Sequence, residues 1–337
     1  MDTTKDAKDT MDAWILDESP GTYRWGQVEP PDLAADEVRI EVVASALNHM
    51  DLWVTRGMPK PPLPHVPGCD VAGRVVEVGT AVTNVSVGDE VVVNPGVSPV
   101  EDIVALGNDS PMGPGFVIYG EHCWGGHATH AVAPARNVVP RPATRSWAEC
   151  AAYPLASLTA YRMLRRARLA AGQTVLVVGI GSGVSCAALA IARHMGAEVV
   201  VTSRSETKRA EALSMGASAA YDSSASRWPV QADVVVESVG PATWEQSVRA
   251  LKPGGRLVVC GGTSGPAVEI NLPRLFFKQF EIIGSSMGSY EEFAALTRIV
   301  DHGLPIHVDR TMDLAEYPAA LRRLEEGEQL GKIVLTR

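Results

Sequence analysis

Along the first third of the chain, apolar and polar residues alternate with a period of two. Glu37–Val42 switches character at each step, Val71–Val78 is dominated by valine, and Glu90–Val93 follows a Gly88-Asp89 turn. Side chains of a strand point to alternate faces, so these runs read as strands with one buried face. Glycine and proline punctuate them about every ten residues, which predicts a small barrel or sandwich. From Pro95 to Gly115 the pattern lapses into a segment rich in Pro, Gly and Asp. It reads as a long loop, functional or held by a ligand.

From about Ser157 the pattern becomes one of short apolar strands alternating with amphipathic helices. Strands are predicted at Thr174–Gly179, Glu198–Thr202, Asp233–Glu237, Arg256–Cys260 and Glu281–Gly284. Helices are predicted at Gly183–Met195, Glu206–Met215 and around Trp244–Leu251, the last followed by a Pro253-Gly254-Gly255 turn. This grammar predicts an α/β unit with a parallel sheet covered on both faces. After Ser289 come helices near Glu291–Val300 and Leu314–Glu326 and a strand at Lys332–Leu335, expected to return to the first domain. The expected division is therefore 11–156 with 289–337 as one domain and 157–288 as the other.

Length and composition narrow the function classes. A chain of 337 residues suits two domains, and 46% hydrophobic with 20% charged residues is ordinary for a globular protein. The formal net charge of −9 disfavours nucleic acid and anionic membranes as partners. No apolar run approaches the roughly 20 residues of a membrane span. Residues 1–10 are polar, without the apolar core of a signal peptide, and are expected to form a disordered leader. Five scattered cysteines without C-x-x-C spacing read as reduced thiols of a cytoplasmic protein.

Candidate chemistry begins at the turn Gly179-Ile180-Gly181-Ser182-Gly183-Val184-Ser185 between a strand and a helix. Glycines there let the backbone approach a pyrophosphate, whose charge sits on the helix N-terminus. The last position of the pattern holds Ser185, small enough for close helix–strand packing. An NAD site would place Asp or Glu at the end of the second strand to bond the ribose hydroxyl. This chain has Thr202-Ser203-Arg204-Ser205 there, with Lys208 one helical turn on. Hydroxyls and cations suit a 2′-phosphate, which points to NADPH. A solvated helix start with Ser205 as its cap explains Ser205 but not the missing acid.

These segments, with several others, resemble the medium-chain dehydrogenase/reductase superfamily over residues 11–337. The others are Ala46-Leu47-Asn48-His49-Met50-Asp51, Pro67-Gly68-Cys69-Asp70-Val71-Ala72-Gly73 and Leu158-Thr159-Ala160-Tyr161. Lys252-Pro253-Gly254-Gly255, Gly284-Ser285-Ser286-Met287-Gly288 and Gly331-Lys332-Ile333-Val334 add to them. The resemblance implies a GroES-like barrel joined to a Rossmann domain, with the active site in the cleft between them. It places Thr159 near the nicotinamide and Val239-Gly240, Gly261-Gly262 and Ser286-Met287-Gly288 along the cofactor. Tyr221 and Lys332 complete the candidate cofactor set. It also implies a homo-oligomer, a dimer or tetramer.

The departures from that family's zinc alcohol dehydrogenases matter as much. Those enzymes place Cys, His and Cys where this chain has Asn48, Cys69 and a position near Leu155, and a proton-relay hydroxyl where it has Met50. Their structural-zinc cysteines fall on Pro99, Asp102, Ala105 and Gly113. Neither zinc is expected, since catalytic zinc wants three Cys, His or carboxylate ligands. Glu121, His122, Cys123, His127 and His130 form a rival constellation, but His127 and His130 on one strand would face opposite sides.

Without a Lewis acid, charge developing on a substrate oxygen is met by hydrogen bonds. Asn48 is the candidate donor and His49 the candidate acid, with Thr159 beside the nicotinamide; a merely packed His49 is an equal alternative. Asp51 is expected to cap a helix beginning near Leu52. Three functions remain open. They are NADPH-dependent reduction of an activated C=C bond or quinone, alcohol–carbonyl redox chemistry, and cofactor binding without turnover, each with a small-molecule ligand.

Overall fold

The computed structural model describes residues 10–337. The leader expected over residues 1–10 therefore lies, apart from the exposed Thr10, outside the described residues. Two sheets organise the chain. The first runs Val308–Asp313, Lys332–Thr336, Glu37–Ala46, Asp70–Val78, Glu90–Val93, Val138–Pro140, with His130–Pro134 also paired to Glu37–Ala46. Its long strand buries Val38, Ile40 and Val42 and leaves the alternate positions partly open, the outcome of a period-two pattern on a one-sided sheet. Val71, Val75, Val91 and Val93 fill the same core. The C-terminal strand joins this sheet antiparallel, with Val334 opposite Ala46.

The second sheet is parallel throughout and runs Ala219–Asp222, Glu198–Ser203, Thr174–Val177, Ala232–Glu237, Leu251–Val259, Glu281–Gly284. In sequence order that is 3-2-1-4-5-6, the Rossmann order, in which the succession of strands reverses between the first and fourth. Buried valine runs on these strands serve both faces. Val175, Val177, Val199, Val201, Val234 and Val236 face the helices Pro154–Arg166 and Gly183–His194. Leu176, Val200, Val235 and Leu257 face the opposite layer with Trp228 and Trp244. The first of those helices packs on both domains, so one apolar cluster also includes Ala44, Ala46, Ala72 and Val334 of the first sheet.

Three expectations are corrected. Asp51 does not cap a helix from Leu52: the helix is His49–Thr55, Asn48 is its N-cap, and Asp51 at the third position accepts the Asn48 N–H at 2.7 Å. A capping box was available in Asn48-x-x-Asp51, with Asp in place of the usual Glu. The segment Pro95–Gly115 is not structureless. It contains the helix Val100–Leu106 and a 3-10 turn over Gly107–Met112. Val100 and Val104 are 58% and 81% exposed, so no buried face imprinted a period on the sequence. Pro253-Gly254-Gly255 is not a turn before a strand but an outward bulge within Leu251–Val259. Leu251 already pairs with Ala232, and pairing resumes at Arg256 with Val234.

Among the described residues no helix is long and apolar enough to cross a membrane. Exposed apolar side chains concentrate on the helix Leu272–Lys278 and the edge strand Glu281–Gly284, including Leu272, Phe276, Phe277 and Ile282.

Candidate active site

The glycine-rich turn leaves the first Rossmann strand with Gly179 and Gly181 at φ +72° and +143°, conformations that favour glycine. Thr202 of the neighbouring strand anchors it: its Oγ1 accepts the Gly179 N–H at 3.1 Å and its carbonyl accepts the Ile180 N–H at 2.7 Å. Ser182 caps the helix Gly183–His194, its Oγ accepting the Ser185 N–H. A side chain at Gly183 would collide with Lys332 and Ala156. The turn is thus a bare backbone cradle at a 12-residue helix N-terminus, and these residues fit a dinucleotide pyrophosphate.

At the end of the second strand, Ser203 is buried and Arg204 is exposed. Among the described residues no hydrogen bond or ion pair holds the Arg204 guanidinium. Its neighbour Arg209 braces the loop instead, donating to the carbonyls of Ser203 and Arg204. Tyr221 lies on the adjacent strand opposite Thr202. Lys208 departs from the expected convergence: its ammonium donates to the Gly327 carbonyl at 2.6 Å and stands over Gly181. It belongs to the glycine turn rather than to the ribose end.

Between the two domains lies a cavity of about 170 Å³. Leu47, Met50, Trp53, Ile118, Leu155, Met287 and Leu324 make its walls apolar. Asn48, His49, Thr159 and Lys332 contribute polar atoms, and Ser182, Gly183, Val184, Gly261 and Ser286 line the side of the parallel sheet. The structure therefore brings together residues up to 285 positions apart, Leu47 and Lys332. Val239 and Gly240 lie behind this wall, where the Glu237 carboxylate accepts both backbone N–H groups. Gly262 packs against Gly240, and Gly288 against Leu158.

The floor of the cavity holds a buried charge cluster. Lys332, 5% exposed, donates to the Leu47 carbonyl (2.6 Å), Asn48 Oδ1 (2.6 Å) and Asp70 Oδ2 (2.7 Å). Asp70 also accepts the Asn48 Nδ2 (2.9 Å) and, through Oδ1, the backbone N–H of Leu155 (2.7 Å). All three ammonium donors are thus spent. Lys332 is not a cofactor ligand by its charge; its stem packs the glycine turn while its head faces the other domain. Nor is the Asn48 amide a free donor: its oxygen takes the lysine and its nitrogen serves Asp70 and, at 3.5 Å, the Ala46 carbonyl. Thr159 donates to the Leu155 carbonyl of its own helix at 2.8 Å.

His49 is different. No hydrogen bond holds either ring nitrogen among the described residues, and the ring leans on Trp53 at 6.2 Å. Burial holds its pKa below the usual imidazole value and the Lys332 charge lowers it further, against a smaller opposing pull from Asp51. The imidazole is neutral at pH 7, a donor through one nitrogen and an acceptor through the other.

Asp70 is the site residue that sequence reasoning passed over. Its only local signal was an acid inside an otherwise apolar Cys69-Asp70-Val71-Ala72 run, which demands a buried cation. Nothing in the sequence told that the cation lay at Lys332.

The positions that hold zinc ligands in alcohol dehydrogenases do not offer a zinc donor set. Cys69 is fully buried, and burial, reinforced by Asp51, Asp70 and Glu121, holds its thiol well above the normal pKa. Leu155 has no donor side chain, and Asn48 is bound to an ammonium. In the lobe, Asp102 at one former cysteine position accepts the Gly115 N–H at 3.0 Å. The rival cluster is dispersed. His127 bonds Ser45 at 2.9 Å inside the first domain, His130 bonds Thr129, and Glu121 pairs with His122 at 4.0 Å. Among the described residues no three His, Cys, Asp or Glu side chains are grouped to hold a metal.

Comparison with known proteins agrees with this geometry. A family model described as alcohol dehydrogenase GroES-like domain matches residues 34–143, and one described as zinc-binding dehydrogenase matches 183–302. The chain is 32% identical to a 2-methylene-furan-3-one reductase of Solanum lycopersicum, over 91% of this chain and 74% of that protein. It is 29% identical to an NADPH-dependent alkenal/one oxidoreductase, chloroplastic, of Arabidopsis thaliana, over 96% and 79%. A solved NAD-dependent alcohol dehydrogenase superposes with a TM-score of 0.91 at 35% identity, covering 97% of this chain and 100% of that one.

Removing Lys332 alone strands a buried carboxylate. Lys332→Met is expected to cost about 3–5 kcal/mol in urea unfolding, the usual toll for breaking one side of a buried pair. Lys332→Met with Asp70→Asn should cost less than Lys332→Met alone; equal or greater loss in the double variant would contradict the pairing.

Proposed function

Since the chain belongs to the medium-chain dehydrogenase/reductase superfamily of oxidoreductases, we propose that it is an NADPH-dependent reductase of activated carbon–carbon double bonds that works without zinc. Membership in this enzyme superfamily sets aside the reading as a cofactor binder without turnover. The observation that carries the proposal is the Lys332 ammonium, bonded to Asn48 at one former zinc-ligand position and to Asp70 beside a second.

The chemistry follows from charge. Reducing an isolated carbonyl places a full alkoxide on oxygen, a strong base that calls for a Lewis acid or a matched proton donor. Reducing an enone at its β-carbon leaves an enolate, a weaker base that hydrogen bonds in a dry site can hold. Bound NADPH supplies the hydride. The chain's part is to place and polarise the acceptor: the apolar walls of Met50, Trp53, Leu155 and Met287 exclude water and hold the alkene against the cofactor side. The neutral His49 imidazole, whose nitrogens have no partner among the described residues, is the donor available to the substrate oxygen. The α-carbon then takes its proton from His49 or from water at the cavity mouth. The alkenal and furanone reductases among the relatives support this reading. The fold's likeness to an alcohol dehydrogenase favours carbonyl redox chemistry as the second reading.

Chelator-treated protein, NADPH and an α,β-unsaturated aldehyde should give the saturated aldehyde, identified by NMR. An allylic alcohol as product would move the enzyme to the second reading, and a rate restored by added zinc would defeat the metal-free claim.

The cofactor reading rests on Ser203 and the unpaired Arg204, with no acid at the strand end. Arg204→Asp removes a charge-assisted donor set and adds repulsion, and should raise the KM for NADPH roughly tenfold or more while improving that for NADH. An unchanged preference in steady-state kinetics would refute it.

The oligomer is proposed to be a two-fold dimer of this chain. Glu281–Gly284 is an edge strand with unpaired backbone groups, and Leu272, Phe276, Phe277 and Ile282 expose apolar surface beside it. A strand edge can pair with its own copy across a two-fold axis, burying both patches. Native mass spectrometry should show a dimer for the parent chain and monomer for Phe277→Glu with Ile282→Lys.

A further inference from the structure

The catalytic cavity does not end at the reacting centre. A second groove opens from it and shares Trp53, Cys260, Gly261 and Ser286 as common wall. Helix Pro154–Arg166 runs along both: Leu155 and Thr159 line the first, Arg162 and Arg166 the second. Spacings of four, three and four residues put these side chains on one helical stripe. At 1.5 Å per residue, Arg166 stands about 10 Å beyond Thr159 along the axis.

The groove presents one cation without a carboxylate partner among the described residues, Arg166. In a chain of net charge −9, no Asp or Glu lines it, while two arginines do. Arg162 is held rigid, its outer nitrogens bonded to Glu292, Asp109 and the Asn108 carbonyl. That leaves its buried Nε without a partner, and the buried Ser285 Oγ on the same wall is likewise unsatisfied. A ligand in the groove would supply acceptors that these two buried donors lack. Among the described residues Arg166 has no carboxylate partner, and its guanidinium donates to the Met112 sulfur at 3.9 Å. The cofactor phosphate does not account for this charge. Arg204 follows the second strand in sequence order and the groove follows the fifth and sixth, three to four strands away, or at least about 14 Å at normal strand spacing.

We propose that this groove binds the tail of an elongated substrate ending in an anionic group, a carboxylate or a phosphate, and that Arg166 is the residue selecting it. The proposal rests on the double-bond reductase reading for the placement of the reacting head. Arg166 presents a planar fork of donors to the anion, with Arg162 Nε and Ser285 Oγ along the tail.

The test compares three vinyl ketones with the same alkyl chain, ending in a carboxylate, a phosphate or a methyl ester. At least one anionic ketone should exceed the ester in kcat/KM roughly tenfold, mainly through KM. The better of the two identifies the anion. Arg166→Gln should abolish the preference, and Arg165→Gln, on a different face of the helix, should retain it. Equal kcat/KM for all three, or a preference surviving Arg166→Gln, would overturn the proposal. If none is reduced, the double-bond reading fails on its own. Calorimetric Kd values of the same compounds for the NADPH complex then decide the groove by the same two criteria, a preference for the anion and its loss in Arg166→Gln.

Discussion

The Lys332–Asp70 pair is the interaction on which the rest of the site depends. Its acceptors and donors come from the Leu47–Asn48 segment, the strand Asp70–Val78, the N-terminus of helix Pro154–Arg166 and the C-terminal strand. Two opposite charges buried together tolerate little displacement, because each lost bond exposes an uncompensated charge to a low-dielectric interior. The cluster therefore sets where Asn48 sits, and through the Asn48 cap where the short helix carrying His49 and Trp53 begins. It also holds the glycine turn in place, since the lysine stem fills the space that a side chain at Gly183 would need.

The ion-paired ammonium closes the cleft floor without offering an exchangeable ligand position. A zinc ion polarises an oxygen by binding it; a lysine with all three protons spent acts only at a distance. A direct contact to a substrate oxygen would need a side chain whose hydrogen-bonding groups are unspent. His49 alone among the floor residues has unspent ring nitrogens, and its burial keeps it neutral. The polar lining has thereby separated into a fixed charge and a free donor.

The same division runs through the larger architecture. Thr202, Ser182 and Arg209 hold the cofactor cradle with local bonds inside the Rossmann sheet. Arg162 ties the Val100–Met112 segment to helix Pro154–Arg166 through Asp109 and the Asn108 carbonyl, and ties helix Tyr290–Asp301 to it through Glu292.

Much of this was legible in the residues. Period-two and valine-rich runs announced both sheets because burial on one or two faces leaves a local periodic record. The glycine turn and the absence of an acid near Arg204 were legible because a close backbone approach admits only particular residues. The helix Val100–Leu106 left no such record, since its valines face solvent, and the Asn48 cap was missed by taking Asp51 for the cap of a helix starting near Leu52. The role of Asn48 was misjudged for a deeper reason. An amide's donors and acceptors are all available in a sequence, and only the fold shows which are spent. The chain by itself determined its two-domain class, its dinucleotide turn and the loss of zinc ligand types, all properties of neighbouring residues or fixed spacings. Tertiary structure decided that Lys332 meets Asp70, that Lys208 leaves Arg204, and that one face of a helix joins two cavities. Those facts depend on contacts between residues up to 285 positions apart, for which no local periodicity exists.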